Sequence, residues 1–270
     1  MSTTNPIRHS FGSPAGTTER GIEMFARHVE SPSGTVVMVH GTLDRGGSFS
    51  RMARRLEGLD AIAFDRRGYQ SSRSLGGAAH LSDHLDDLRE ILTTAAARGP
   101  VTLVGHSFGG VIAIAAAAAM PEAMGALVVY EPPMPWLWEE PPHHAMVVGG
   151  DPAVEVEQFF RRMVSNEAWE HLSEAERQSR IADGAGLMSD LRIIRGEVPF
   201  TLDDIATLEI PITIGIGASI SGHRRAAERV VATAPHGVLV HIEGAPHGAH
   251  LSHPDSLAEL VMTSIAVPKE

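Results

Sequence analysis

The chain reads as an α/β protein: a mostly parallel central sheet covered by helices on both faces, with an inserted helical lid. Three observations predict this. Short β-branched runs alternate with helical patterns along most of the 270 residues, the order that parallel strands and their crossover helices impose. The rhythm breaks once, between Pro132 and Ile210. The stretch Val111 to Met120 is mostly alanine after a Gly-Gly pair, which suits a helix buried close against a sheet.

Taken in order, Gly21 to Glu30 alternates Ile22, Met24, Ala26 and His28, as a half-exposed antiparallel strand does. Parallel strands are expected at Thr35 to Val39, Ala61 to Phe64, Val101 to Val104, Ala126 to Tyr130, Ile212 to Ile216 and Val238 to Ile242. Helices are expected between them at Ser48 to Glu57, His80 to Arg98, Phe108 to Met120 and Gly222 to Thr233. The last, Pro254 to Ile265, sets Leu257, Leu260, Val261 and Ile265 along one face. The irregular stretch opens with a proline cluster, PPMPWLWEEPPHH, and continues into helical patterns around Val154 to Leu172 and Ser173 to Leu191. This divides the chain into a core, 1–131 with 211–270, and a lid, 132–210. Within the lid, Trp136, Trp138 and Phe159 either line an apolar pocket for an acyl or aromatic group or pack the lid's own underside.

Composition narrows the function classes. Lys and Arg number 22 against 33 Asp and Glu, a formal net charge of -11, so a nucleic-acid ligand is not expected. There is no cysteine, which removes disulfides, thiolate metal sites and cysteine nucleophiles together. The first twenty residues are polar and turn-rich, and no apolar run is long enough to span a bilayer. The expectation is a cytoplasmic protein without a membrane partner.

VTLVGHSFGG, residues 101 to 110, sets Gly105, Ser107 and Gly109 directly after a strand and at the mouth of a helix. That is the nucleophile-elbow pattern in its required context. The turn is sharp, so its neighbours must be small, and it presents the hydroxyl where helix N–H groups favour developing negative charge.

With MVHGTLDRGGSF, FDRRGYQSS, YEPP and GAPHGAHLSHP in their places around the elbow, nearly the whole chain resembles the α/β-hydrolase superfamily. The resemblance implies half an oxyanion hole at His40-Gly41-Thr42, with the Thr42 backbone N–H as donor and the Phe108 N–H as the other. It also implies that the catalytic histidine follows the last strand, which selects His247 as general base, with His250 as the fallback. Spacing among His247, His250 and His253 does not argue for a metal, because HExxH is absent and the segment is a loop. No cofactor is implied.

The acid departs from the family pattern. The superfamily's usual carboxylate follows the penultimate strand, but here ITIGIG runs into Ala218-Ser219-Ile220-Ser221-Gly222. Either the triad is reduced to a dyad or the acid has moved. Glu131 ends the strand after the elbow helix, at the sheet edge where such active sites lie. Haloalkane dehalogenases and certain polyketide-releasing thioesterases resemble this arrangement, so Glu131 is the expected orienting acid, ahead of Asp203 and Asp204.

A serine, a histidine and an oxyanion hole imply acyl transfer through an acyl-serine, with a small-molecule ester or thioester as substrate. Epoxide hydrolysis or dehalogenation would need an aspartate where Ser107 stands. A C–C bond hydrolase or an acyltransferase would use the same groups. The rival from another class is a noncatalytic hydrolase-like binder of a small ligand.

Overall fold

The computed structural model describes residues 11–138, 150–218 and 221–265. Two stretches of sequence interest, 139–149 of the proline-rich segment and 219–220 after the penultimate strand, lie outside the described residues. In chain order the elements are β1 (Ser13–Thr17), β2 (Glu23–Arg27), β3 (Thr35–Val39), α1 (Ser50–Ala53), β4 (Asp60–Phe64), α2 (Leu81–Ala96), β5 (Val101–His106), α3 (Phe108–Ala119) and β6 (Ala126–Tyr130). They continue with α4 (Pro152–Met163), α5 (Asn166–His171), α6 (Glu174–Ile181), α7 (Gly184–Gly196), α8 (Leu202–Ala206), β7 (Ile212–Ile216), α9 (Ser221–Thr233), β8 (Gly237–His241), α10 (Ala249–Ser252) and α11 (Pro254–Ile265).

The eight strands form one sheet in the order β1-β2-β4-β3-β5-β6-β7-β8. β1, β2 and β4 pair antiparallel, and every pairing from β4 across to β8 is parallel. Strands β3 to β7 are buried at every position, as both-face coverage requires. Alternate residues feed two cores. Val37, Val39, Leu103 and Val129 meet α2, α3 and α9 on one face, while Val36, Met38, Val104 and Val128 meet α1 and α11 on the other. The alanine-rich α3 is buried from Phe108 through Ala117. Its short side chains let the helix sit close to the sheet and so set the height of its N-terminus.

Three expectations need amendment. β1 was not foreseen, because SPAGT carries proline and glycine and is mostly exposed; it is an edge strand with a register shift between Pro14 and Gly16, a device that blunts an edge. The expected helix at Ser48 to Glu57 is a 3-10 turn followed by the four-residue α1. The two long patterns in the insertion each divide into two helices, at the N-caps Ser165 and Asp183. Val156, Phe160, Trp169, Leu187 and Leu191 of this insertion form a cluster of their own around Leu43 and Tyr69. Among the described residues no helix is long and apolar enough to cross a membrane.

Candidate active site

β5 delivers Ser107 to the start of α3 with φ 53° and ψ -127°, a left-handed conformation that costs a non-glycine residue of order 1–3 kcal/mol. The surroundings over-determine it. A Cβ on Gly109 would stand 2.2 Å from the Val39 carbonyl oxygen, so only glycine lets β3 and the elbow meet. The Ser107 N–H donates to Tyr130 O at 2.9 Å, and its carbonyl accepts from Gly110 and Val111. Phe108 opens α3 and has no residue one turn earlier to accept its N–H. Among the described residues neither that N–H nor the Thr42 N–H is committed to another acceptor.

Glu131 also has a positive φ, 46°, which turns the chain out of β6 while its N–H still bonds Gly215 O at 3.0 Å. Its carboxylate, 1% exposed, accepts from the Gly217 N–H at 2.9 Å through Oε1 and from His247 Nδ1 at 2.7 Å through Oε2. Gly217 follows β7, so the carboxylate just past β6 reaches the strand end where the resemblance places the usual acid. With Nδ1 donating to Glu131, Nε2 is left as the proton acceptor of His247.

The loop bearing His247 is held by the residues that precede the other two groups. His106 donates through Nε2 to the His247 carbonyl at 2.8 Å, and Tyr130 Oη donates to Pro246 O at 3.1 Å. Burial, reinforced by His250 and His247, pushes His106 well below the ordinary histidine pKa, so the neutral ring makes this contact as its Nε2–H tautomer. Ser107 and His247 line one cavity of about 170 Å³. No hydrogen bond joins them among the described residues; in unliganded sites such bonds often tighten with substrate.

Of the aromatic residues expected at the pocket, Phe159 lines this cavity, together with Phe160. Trp136 and Trp138 do not. Trp136 donates to Phe200 O at 3.1 Å and packs edge-on against that ring. Trp138 lies on Gly222 and stands 5.7 Å from the His223 ring. Tryptophans so close to the end of β6 are drawn into the main core and against α9, away from the mouth of the elbow. Asp203 and Asp204 lie in α8, where Asp204 caps the helix through Thr201; the carboxylate on His247 Nδ1 is that of Glu131.

A buried network behind the Thr42 peptide went unread in the sequence. Arg66 Nη2 donates to Gly41 O at 3.1 Å and Nε donates to His40 O at 2.9 Å. His40 accepts the Arg66 N–H on Nε2 and donates Nδ1 to Gly41 O at 2.8 Å. Gly41 C=O and Thr42 N–H belong to one trans peptide, so fixing the first aims the second the opposite way. Asp190 of α7 closes the network by accepting from Arg66 at 2.7 Å, Thr42 Oγ1 at 2.9 Å and Tyr69 Oη at 2.8 Å. Burial and the adjacent Arg66 hold His40 down at about 4. Burial opposes ionisation of Asp190, but Arg66 and His84 hold it well below the usual carboxylate range. Asp190 has no sequence pattern of its own, and only the docking of the insertion gives it a role.

Among the described residues, two groups bring three ligand-type atoms within 4.8 Å of one another: Asp44, His106 and His250, and Glu131, His223 and His247. Such donors suit a zinc-class cation. The second group shares the Glu131–His247 contact, so a cation there and a free imidazole base exclude each other. His253, the third histidine of the loop, turns to Ser252 Oγ at 2.9 Å instead.

The chain is 36% identical over 109 residues to a lipase, LipV, of Mycobacterium tuberculosis, covering 39% of this chain and 41% of that protein. It is 35% identical over 109 residues to a monoacylglycerol lipase of Mycolicibacterium smegmatis, covering 37% and 38% respectively. The aligned region is thus about two fifths of the length of these relatives. Among solved structures, a hydrolase from Pseudomonas aeruginosa superposes with a TM-score of 0.73 at 18% identity, over 93% of this chain and 97% of that one. The model of the alpha/beta hydrolase family matches residues 36–260. That span runs from β3 through the elbow and the Glu131 turn into α11, and the chain belongs to the alpha/beta hydrolase family.

Proposed function

We propose that the protein is a serine hydrolase that cleaves a carboxylic ester or thioester through an acyl-serine intermediate. The observation that carries this reading is the Glu131–His247 contact at 2.7 Å, with His247 opening on the same cavity as the strained Ser107. In the proposed cycle, His247 Nε2 takes the Ser107 proton as Oγ attacks the carbonyl carbon. The Thr42 and Phe108 N–H groups receive the oxyanion, a contribution of roughly 10²- to 10³-fold in rate for each donor. Collapse breaks the bond to the alcohol or thiol, which leaves with the proton from His247, and water repeats the sequence on the acyl-enzyme. Glu131 holds the imidazole in the tautomer that this needs and steadies its cation.

The cavity wall suits an acyl chain: Phe159, Phe160, Met163, Val164 and Leu251 are apolar, and Phe159 is the proposed substrate contact. The lipase names of the two relatives fit this reading.

Labelling with a fluorophosphonate, followed by intact mass, tests the nucleophile. The wild type should gain one adduct and Ser107→Ala none, while an unlabelled wild type would favour the noncatalytic binder. A series of p-nitrophenyl esters of graded chain length, with an acyl thioester alongside, then separates ester from thioester preference.

A further inference from the structure

Arg180 is a cation that the described residues leave without a counter-ion. It lies in α6 of the insertion and lines the same cavity as Ser107 and His247. Its Nε is buried with no hydrogen-bond partner. Nη1 makes one long contact, 3.4 Å, to the Leu43 carbonyl, and the guanidinium lies 4.8 Å from the centre of the Phe160 ring. Most of its five donors are therefore unspent.

The charges that act on it are Arg45, Asp44, Asp183 and Glu176. Arg45 repels it, and each acid is bound elsewhere. Asp44 meets His250 Nε2 at 3.1 Å and accepts from Ser48 Oγ at 3.0 Å. Asp183 takes Arg73 at 2.6 Å and the Gln70 N–H at 3.0 Å. Glu176 is engaged by the Ser173 N–H and hydroxyl, at 2.9 and 2.7 Å. Burial and Arg45 lower the Arg180 pKa, yet arginine remains charged in proteins. A partly desolvated guanidinium with free donors is matched best by a planar anion that accepts two parallel N–H bonds.

We infer that Arg180 forms an anion subsite of the reaction cavity and that the substrate is an ester or thioester carrying a carboxylate. The reacting bond rests on the acyl-serine reading; the carboxylate rests on the cavity alone. The formal net charge of -11 repels anions at long range, so recognition falls to this local contact, where a guanidinium also fixes orientation.

The test compares p-nitrophenyl monoesters of succinate, glutarate and adipate with neutral p-nitrophenyl esters of matched length. The wild type should favour the best anionic ester in kcat/KM by roughly tenfold or more, the worth of one charge-assisted contact. Arg180→Gln should erase that ratio, chiefly through KM, and Arg180→Lys should restore part of it. A ratio that is the same in wild type and Arg180→Gln, or a wild type that favours the neutral esters, overturns the inference. If no ester is turned over, calorimetric titration with glutarate and adipate decides separately. Binding by the wild type that is lost in Arg180→Gln upholds the anion subsite while the ester reading fails. No binding by the wild type sinks the subsite.

Discussion

Two histidine–carboxylate pairs stand side by side at the Ser107 cavity, and they are buried in opposite order. In the first, the Glu131 side chain is 1% exposed and that of His247 22%, so the acid lies behind and the imidazole in front. In the second, Asp44 is 19% exposed and His250 3%, so the imidazole lies behind and the carboxylate in front. The His106 ring separates them, 4.9 Å from His247 and 4.2 Å from His250. Each pair joins a histidine to a carboxylate and the histidines are three positions apart in sequence, yet the roles proposed for them differ. A base needs its free nitrogen at the cavity and its acid at the rear; the reverse order yields a fixed charge. Although burial opposes it, the neighbouring imidazoles, His250 foremost, hold Asp44 well below the ordinary carboxylate range.

The sharpest way to break this contrast is to remove each imidazole or acid in turn. His247→Ala should lower kcat by at least about 10⁴-fold, with circular dichroism unchanged. Glu131→Gln should cost about 10²- to 10⁴-fold in kcat with little change in KM. If Asp44→Asn proved as damaging, burial order would not be what separates the pairs.

Asp190 supplies a control, being a buried carboxylate that touches neither His247 nor His250. Asp190→Asn should weaken the folded state by up to about 3 kcal/mol, because Arg66 loses its partner. The same change should lower kcat by roughly tenfold or more through a looser Thr42 peptide, and a boronic acid mimic of the tetrahedral state should lose affinity in step. Unchanged affinity for that mimic would confine Asp190 to stability.

Acid offers a third handle. His40 is neutral when folded, with its pKa pushed to about 4, while the unfolded chain binds that proton below about pH 6.5. Stability present above pH 6.5 should therefore drain away as pH falls to 4, by about 3 kcal/mol from this group. Urea unfolding at pH 7 and pH 4 reads it, and an unchanged unfolding free energy would mean that His40 is not held neutral. The smallest effect belongs to Asp44→Asn, expected to change kcat less than about tenfold, since no reacting atom depends on it.

Much of this arrangement was legible because it is written locally. Buried parallel strands show as β-branched runs, and the elbow needs glycines at fixed offsets from Ser107, so both can be read from short windows. Glu131 was legible for a similar reason, as a carboxylate closing an apolar strand. What could not be read depends on docking between distant segments. Nothing near Asp190 or Arg66 in sequence announces that α7 will reach behind the Thr42 peptide. Trp136 and Trp138 look like pocket residues by composition, but only the packed structure shows them turned toward Phe200 and Gly222. Choosing His247 over His250 came from position in the loop; the burial order that distinguishes them appears only in three dimensions.

Placing the carboxylate at the end of β6 has a consequence for assembly. Ser107 and Glu131 are carried by one uninterrupted β5-α3-β6 unit, whereas His247 arrives from the far end of the chain. Severing the backbone between α5 and α6 would therefore leave Ser107, Thr42, Phe108 and Glu131 on one fragment, and His247 with Arg180 and Asp190 on the other. Each piece alone should be inert, and recombination of the two would report directly on docking of the C-terminal strands, making the protein a natural scaffold for fragment complementation.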